Sequence, residues 1–247
     1  MTTPSQRGRL RITQLWRYPV KSLRGESLDH CQVSADGVEG DRLVHVAGAR
    51  GLLTGRTRHE LLTIDAHTGP DGEPVVAGYR WDTPEATAVI RAAAGPDARL
   101  VSARVRERFD VLPLLVATEA EADALRIGLR RLRPNIVIGG AAVGDEGSWV
   151  GQALQIGDAL VGVFTRRPRC VVTTIDPDSG AQDLDVLRRI RHMREGALAL
   201  DCWTIQPGAI RLGDPVSVVP VPAGLPVSAM AHPGGWITGE AYMLAGP

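Results

Sequence analysis

Residues 165–180 read TRRPRCVVTTIDPDSG, and the rest of the chain is organised around them. The β-branched run at 171–175 predicts a strand, and the Asp-Pro-Asp-Ser-Gly sequence at 176–180 predicts a turn. We therefore expect Cys170 at the start of a strand beside a connection, where its thiol can face a cleft. Arginines at 166, 167 and 169 favour the thiolate, the form that attacks electrophiles and binds soft metals. The alternative is a buried cysteine that acts as a small apolar residue.

The composition indicates a globular protein without a strong overall electrostatic field. The chain has 247 residues, 44% of them hydrophobic and 23% charged, enough for one large domain or two small ones. Its net charge is zero, which argues against attraction to nucleic acid or an anionic membrane. Cys31, Cys170 and Cys202 form no C-x-x-C pair, so neither a zinc site nor a disulfide framework is predicted. The odd cysteine count suits a reducing compartment, and we expect a cytoplasmic protein.

Short strands separated by turns dominate the pattern along the chain. Residues 10–18 alternate apolar with polar, and residues 60–64 also predict a strand. Helices are expected after Thr83, Thr118 and Asp183, each of which can cap a helix. Thr118 and Glu121 form a capping box, and the apolar stripe behind them predicts one helix reaching Leu132. These features favour a mainly β fold, a small barrel or sandwich, with a few α-helices.

A lysine followed by a hydroxyl residue ends the first predicted strand. Lys21 and Ser22 come directly after Pro19-Val20, and such a pair at a strand end could hold a phosphate. No glycine-rich Walker pattern accompanies it, so the pair alone favours a solvated lysine.

Several short motifs, taken in order and spacing, resemble those of the MOSC family. They are Tyr-Pro-Val-Lys-Ser at 18–22, Gly-x-x-Gly-Asp-Arg at 37–42, Leu-Thr-Gly-Arg at 53–56, Arg-Pro-Asn at 133–135, Arg-Cys at 169–170 with the turn that follows, and Gly-Asp-Pro-Val at 213–216. The resemblance implies a mainly β, β-barrel fold with a few α-helices. It divides the chain into a MOSC N-terminal β-barrel module over 1–105 and a MOSC domain over 106–220. The composition after Pro220 predicts a Pro/Gly-rich C-terminal tail over 221–247.

The resemblance also implies an activity, because amidoxime-reducing members of the family reduce N-oxygenated compounds with a molybdenum cofactor (molybdopterin). In that case Cys170 is the molybdenum ligand, and Asp110 is a second catalytic residue that handles protons near the metal. The residues implied to hold the cofactor are Lys21, Ser22, Arg42, Arg56, Arg133 and Asn135. The partners implied are a small N-oxygenated substrate and a separate electron-transfer protein, with no nucleic acid and no membrane.

Three positions depart from the pattern of the amidoxime-reducing members. Val111 and Leu112 follow Asp110, and Pro168 lies two residues before Cys170, where those members carry small hydroxyl residues. Two alternatives therefore stay open. Cys170 could serve a sulfur (persulfide) carrier, loaded without pyridoxal phosphate, or a molybdenum cofactor carrier. The chain could also be a repurposed MOSC-fold enzyme that works without molybdenum.

Overall fold

The structure is a computed structural model that describes residues 9–103 and 108–223. In chain order the described strands are β1 (Arg11–Arg17), β2 (Glu26–Leu28), β3 (His30–Ser34), β4 (Gly37–Val38), β5 (Val44–Gly48), β6 (Gly51–Leu53), β7 (Ala66–Thr68), β8 (Pro74–Val76), β9 (Tyr79–Arg80), β10 (Arg99–Ser102), β11 (Leu114–Thr118), β12 (Ile136–Gly139), β13 (Gln152–Ile156), β14 (Ala159–Pro168), β15 (Ala197–Gln206), β16 (Gly208–Arg211) and β17 (Val216–Pro220). The α-helices are α1 (Pro84–Ala94), α2 (Glu119–Ala124), α3 (Leu129–Leu132), α4 (Asp145–Trp149) and α5 (Leu184–Arg194). The prediction of a mainly β fold with a few helices is confirmed.

The largest sheet has eight strands in the order β17-β13-β14-β15-β11-β12-β1-β2 and curls into a half-barrel. Neighbouring strands are antiparallel except β11 and β12, which are parallel. Every residue of β11 and of β12 is buried, as the apolar composition of these two strands predicts for the middle of a sheet. Smaller sheets follow the orders β10-β5-β6, β16-β3-β4 and β7-β8-β9.

Strands from the two ends of the chain share sheets. In the large sheet β1 pairs with β12, and β3 pairs with β16 in a smaller one. The boundary predicted between residues 105 and 106 falls among residues 104–107, outside the described residues, and so do residues 224–247 of the predicted tail. The division into modules stays a prediction.

Two predicted strands are 3-10 helices instead. Residues Val171–Thr174 form such a helix directly after Cys170, so Cys170 follows strand β14 rather than opening a strand. The hydroxyl of Thr173 donates to the carbonyl of Cys170 at 2.7 Å, and the hydroxyl of Thr174 donates to the carbonyl of Val171 at 2.7 Å. These bonds stabilise a tight turn where β-branched residues alone favour a strand. Residues His59–Thr63 likewise form a 3-10 helix, with its consecutive leucines both buried.

The helix predicted from Thr118 to Leu132 is two short helices, α2 and α3. Helix α2 ends because Arg126 adopts a left-handed conformation with φ of 52°. The Thr118 hydroxyl accepts a hydrogen bond from the Glu121 backbone as predicted, but the Glu121 carboxylate does not return to Thr118. It accepts from the Gly144 backbone at 2.6 Å and pairs with Arg194 at 2.5 Å instead. The caps predicted at Thr83 and Asp183 are confirmed.

The loop after β1 is fixed against β5, and this contact positions the lysine of the first motif. The backbone N–H of Lys21 donates to the carbonyl of Val44 at 2.8 Å. Three residues earlier, the N–H of Tyr18 donates to the carboxylate of fully buried Asp41 at 2.7 Å. The segment between β1 and β2 therefore enters the interior with its polar groups bonded. None of the described helices is long and apolar enough to cross a membrane.

Candidate functional site

One cleft collects all the residues that the sequence predicted for the site. Its lining includes Lys21, Ser22, Arg42, Arg56, Asp110, Arg133, Asn135 and Cys170. The space within it is about 860 Å³, counting the part that is open to solvent.

Cys170 lies between strand β14 and the 3-10 helix at 171–174, and its side chain is half-buried at the cleft. The preceding residue is anchored twice: the backbone N–H of Arg169 donates to Gly196 at 2.9 Å, and its guanidinium donates to the carbonyl of Leu132 at 2.8 Å. The thiol is thus presented to the cleft from a fixed backbone. By contrast, Cys202 is fully buried in the core, where burial raises the pKa of its thiol well above the ordinary value.

Asp110 joins two basic side chains at the cleft. Its carboxylate lies 2.9 Å from Nζ of Lys21 and 3.2 Å from Nη2 of Arg56. Burial opposes ionisation of Asp110, but the charges of Lys21, Arg167 and Arg56 outweigh it and hold the pKa of this carboxyl well below its usual range. Burial also lowers the pKa of Lys21, and Asp110 counteracts that change. Asp110 is therefore a carboxylate at neutral pH.

Aromatic rings support two arginines of the cleft. The guanidinium of Arg133 lies 4.2 Å from the ring centre of Tyr18, and that of Arg42 lies 5.1 Å from the same ring. Arg42 also pairs with the buried carboxylate of Asp41, and Arg133 donates to the carbonyl of Leu23 at 2.7 Å. Burial lowers the pKa of Arg133 to about 10. Stacking on a ring fixes the plane of each guanidinium, which prepares both groups to bind an anion.

Three of the predicted binding residues have a left-handed backbone conformation, which residues other than glycine rarely adopt. They are Ser22, Arg42 and Arg133, with φ of 71°, 54° and 57°. All three line the cleft. Strained backbone of this kind is found at functional sites, where it aims side chains at a ligand.

Asn135 is committed to the backbone of neighbouring strands. Its Oδ1 accepts from the N–H of Leu115 at 3.1 Å, and its Nδ2 donates to the carbonyl of Trp16 at 3.3 Å. The side chain is 1% exposed. Asn135 therefore ties β11, β12 and β1 together beneath the cleft, a role that the sequence did not reveal.

Further basic residues reach the cleft that the sequence did not assign to the site. Arg108, Arg167 and Arg169 line it, so that seven basic side chains and one carboxylate, that of Asp110, line the cleft among the described residues. The sequence placed Arg167 and Arg169 beside Cys170 and predicted that they favour its thiolate, but it did not assign them to the binding residues. Arg108 donates to the carbonyl of Asp41 at 2.6 Å across 67 positions of the chain, and no local pattern signals that contact.

The residues that face the cleft fit an anionic cofactor that brings its own metal. The lining combines a half-exposed thiol with an excess of guanidinium groups, and a thiolate is a suitable ligand for a soft metal, while guanidinium groups suit phosphate. The buried Nε atoms of Arg167 and Arg169 make no hydrogen bond among the described residues, although Nε of Arg167 lies 2.9 Å from the carboxylate of Asp201 as an ion pair. Leu112 and Pro168 also line the cleft. At these two positions the amidoxime-reducing members carry small hydroxyl residues, so this cleft lacks those two hydroxyl groups.

Comparison with known proteins gives consistent matches over most of the chain. A family model described as MOSC domain matches residues 94–217, and one described as MOSC N-terminal beta barrel domain matches residues 9–107. Mitochondrial amidoxime-reducing component 1 of Mus musculus is 29% identical over 289 residues, which cover 86% of this chain and 84% of that protein. The Homo sapiens protein of the same name is 26% identical and covers 86% of both chains. Among solved structures, the YuaD protein from Bacillus subtilis aligns with a TM-score of 0.46 at 14% identity, covering 86% of this chain and 97% of that one.

Proposed function

The chain belongs to the MOSC domain family, and on that premise we propose that it is an oxidoreductase that binds a molybdenum cofactor and reduces N-oxygenated compounds. The observation that carries the proposal is the convergence, among the described residues, of a half-exposed thiol and seven basic side chains on one cleft. These residues come from segments as far apart in sequence as Lys21 and Cys170. The names of the amidoxime-reducing relatives give the class of substrate.

The basic residues have distinct tasks in this proposal. Lys21, Ser22, Arg42 and Arg133 would bind the phosphate and the pterin, and Arg56 would close the mouth of the cleft above Asp110. Cys170 would supply the thiolate that binds molybdenum. When bound, the cofactor supplies the two-electron redox chemistry, and the protein supplies binding, orientation and electrostatics. Asn135 would act chiefly by holding the strands that carry its neighbours.

The reduction consumes two protons and two electrons and releases water from the N–O group. The sequence predicted that Asp110 handles these protons; no observation tests that role, and we propose a different one. Because its pKa is held low, Asp110 is a poor proton donor at neutral pH. We propose that it serves the reaction by holding Lys21 and Arg56 in place, while protons reach the substrate from solvent through the open side of the cleft.

The electrons would come from a separate electron-transfer protein. The substrate would be a small molecule, and we propose a cytoplasmic location.

The decisive experiment measures molybdenum and pterin in protein made by a host that synthesises the cofactor. Wild type is compared with Cys170→Ala and with the matched control Cys31→Ala, whose thiol lies in β3 and does not line the cleft. We expect near-stoichiometric molybdenum in wild type and in the control, and little in Cys170→Ala. Turnover of benzamidoxime with a chemical reductant should follow the metal content.

Other results would favour the alternatives. Pterin that binds without Cys170-dependent metal would indicate a cofactor carrier. A persulfide on Cys170 in protein that carries neither metal nor pterin would indicate a sulfur carrier, and it would overturn the oxidoreductase proposal.

A further inference from the structure

The floor of the cleft contains an ion pair that the proposed cofactor site does not use. Nε of Arg167 lies 2.9 Å from Oδ1 of Asp201, and the Asp201 side chain is completely buried. Arg167 comes from β14, three residues before Cys170, and Asp201 comes from the neighbouring strand β15. A carboxylate in such a position is costly unless it has a specific partner.

The strand register places Asp201 directly under the cleft. Asp201 is opposite Leu115 of β11 on one side and opposite Thr165 of β14 on the other. Residues that face each other across neighbouring strands project from the same side of the sheet. Leu115 lines the cleft, so the side chain of Asp201 lies on that same side, beneath the lining.

Arg167 faces its counter-charge along one edge, in an ion pair that lacks hydrogen-bond geometry. Its Nε faces Asp201, and within the described chain its two Nη atoms make no hydrogen bond. The side chain is 16% exposed and lines the cleft. A guanidinium whose Nε edge faces a buried counter-charge keeps the N–H groups of its two Nη atoms for a ligand, and two parallel N–H groups suit a carboxylate or a similar oxyanion.

We propose that Arg167, positioned by Asp201, binds an anionic group of the substrate beside Cys170, so that the preferred substrates carry a carboxylate near the N–O group. The inference rests on the proposed function and narrows its substrate class. Asp201 is a positioning residue, because it acts through Arg167 and does not line the cleft.

The first test compares benzamidoxime with its three ring-carboxylated isomers on cofactor-loaded protein, with molybdenum content measured for every sample. In wild type we expect kcat/KM for the best carboxylated isomer to exceed that for benzamidoxime by about 10- to 100-fold, the range for a hydrogen-bonded charge. Arg167→Met should abolish this preference, and Arg167→Lys should retain part of it because the charge remains without the fork. Asp201→Asn should weaken the preference mainly through KM.

The matched control is Arg191→Met, an exposed arginine on α5 outside the cleft, which should keep the wild-type preference. A wild type without preference for any carboxylated isomer, or an Arg167→Met variant that keeps the preference, would overturn the inference.

A second measurement separates the failure of this inference from the failure of the proposed function. Benzoate is titrated calorimetrically into wild type and the Arg167 variants, with thermal unfolding as the check on folding. Binding that weakens about tenfold or more in Arg167→Met supports the anion site even if no amidoxime is reduced. Equal affinity in both proteins, or no binding to wild type, rejects the anion site whether or not amidoximes are turned over.

Discussion

The buried amide of Asn135 offers a quantitative test of how the cleft is built. In Asn135→Ala two side-chain hydrogen bonds disappear, one from the Leu115 N–H and one to the Trp16 carbonyl. Each such bond contributes about 1 kcal/mol, and a buried N–H left without a partner costs roughly 1–3 kcal/mol. Because Asn135 is 1% exposed, water does not replace these partners without rearrangement. We expect the variant to lose ~2–4 kcal/mol of unfolding free energy, even in protein without cofactor.

The assay is urea unfolding of cofactor-free protein, followed by tryptophan fluorescence and by circular dichroism. The matched control is Gln155→Ala, which likewise removes two side-chain hydrogen bonds, but at an exposed residue. In this case the amide donates both bonds, to the carbonyls of Gly157 and Ala159. The control should lose less than about 1 kcal/mol. If Asn135→Ala has the stability of wild type and loses only cofactor, Asn135 is a ligand-binding residue and its role as a tie between strands is refuted.

Three further predictions concern buried charge and the thiols. Burial raises the pKa of Glu146 from 4.5 to about 7, so native protein binds its proton more tightly than unfolded protein. The stability that this group contributes is present below about pH 4.5 and is lost, by ~3 kcal/mol, as the pH rises to 7. In urea unfolding, the free energy of unfolding should therefore fall less between pH 5 and pH 7 for Glu146→Gln than for wild type. A larger fall in the variant than in wild type would contradict this. Asp41→Asn leaves Arg42 without its buried counter-charge and should cost roughly 3–5 kcal/mol in urea unfolding, whereas a change below about 1 kcal/mol would show that the pair is dispensable. Iodoacetamide should alkylate half-buried Cys170 in native protein and reach fully buried Cys202 only on unfolding, as peptide mass spectrometry can check; equal rates would contradict the burial of Cys202.

The sequence predicted the elements whose pattern is local. The alternation over residues 10–18 corresponds to β1, and the caps at Thr83 and Asp183 begin helices α1 and α5. It failed where a side chain competes with the pattern of its own segment. The run after Cys170 has the composition of a strand, but the hydroxyl bond of Thr173 closes a 3-10 turn. Strand propensity reflects the branching at Cβ, but it takes no account of a hydrogen bond from a side-chain hydroxyl to a nearby carbonyl.

For the site, motifs brought out the residues but not their tasks. All eight predicted side chains line one cleft, because short motifs at the ends of strands meet where the sheets meet. The contacts that decide what each residue does span long separations, as between Asn135 and Trp16, 119 positions apart. Arg108 escaped prediction for the same reason. Such pairings depend on strand order, which no single stretch of sequence encodes.

The excess of positive charge in the cleft is the feature that best connects the fold with the proposed chemistry. The whole chain is neutral, yet seven basic side chains of the described residues line the cleft. Five of them pair with a carboxylate, and among the described residues Arg133 and Arg169 do not. Arg133 and Arg169 are bonded instead to the carbonyls of Leu23 and Leu132, which fix a guanidinium without neutralising it. Burial lowers the pKa of both arginines to about 10, so keeping them charged has a free-energy cost in the absence of an anion. An anion bound in the cleft would offset that cost, since it restores the counter-charge that the fold withholds. The carbonyl partners of Arg133 and Arg169 leave these two charges without a carboxylate, which supports the proposal that the cleft binds an anionic ligand.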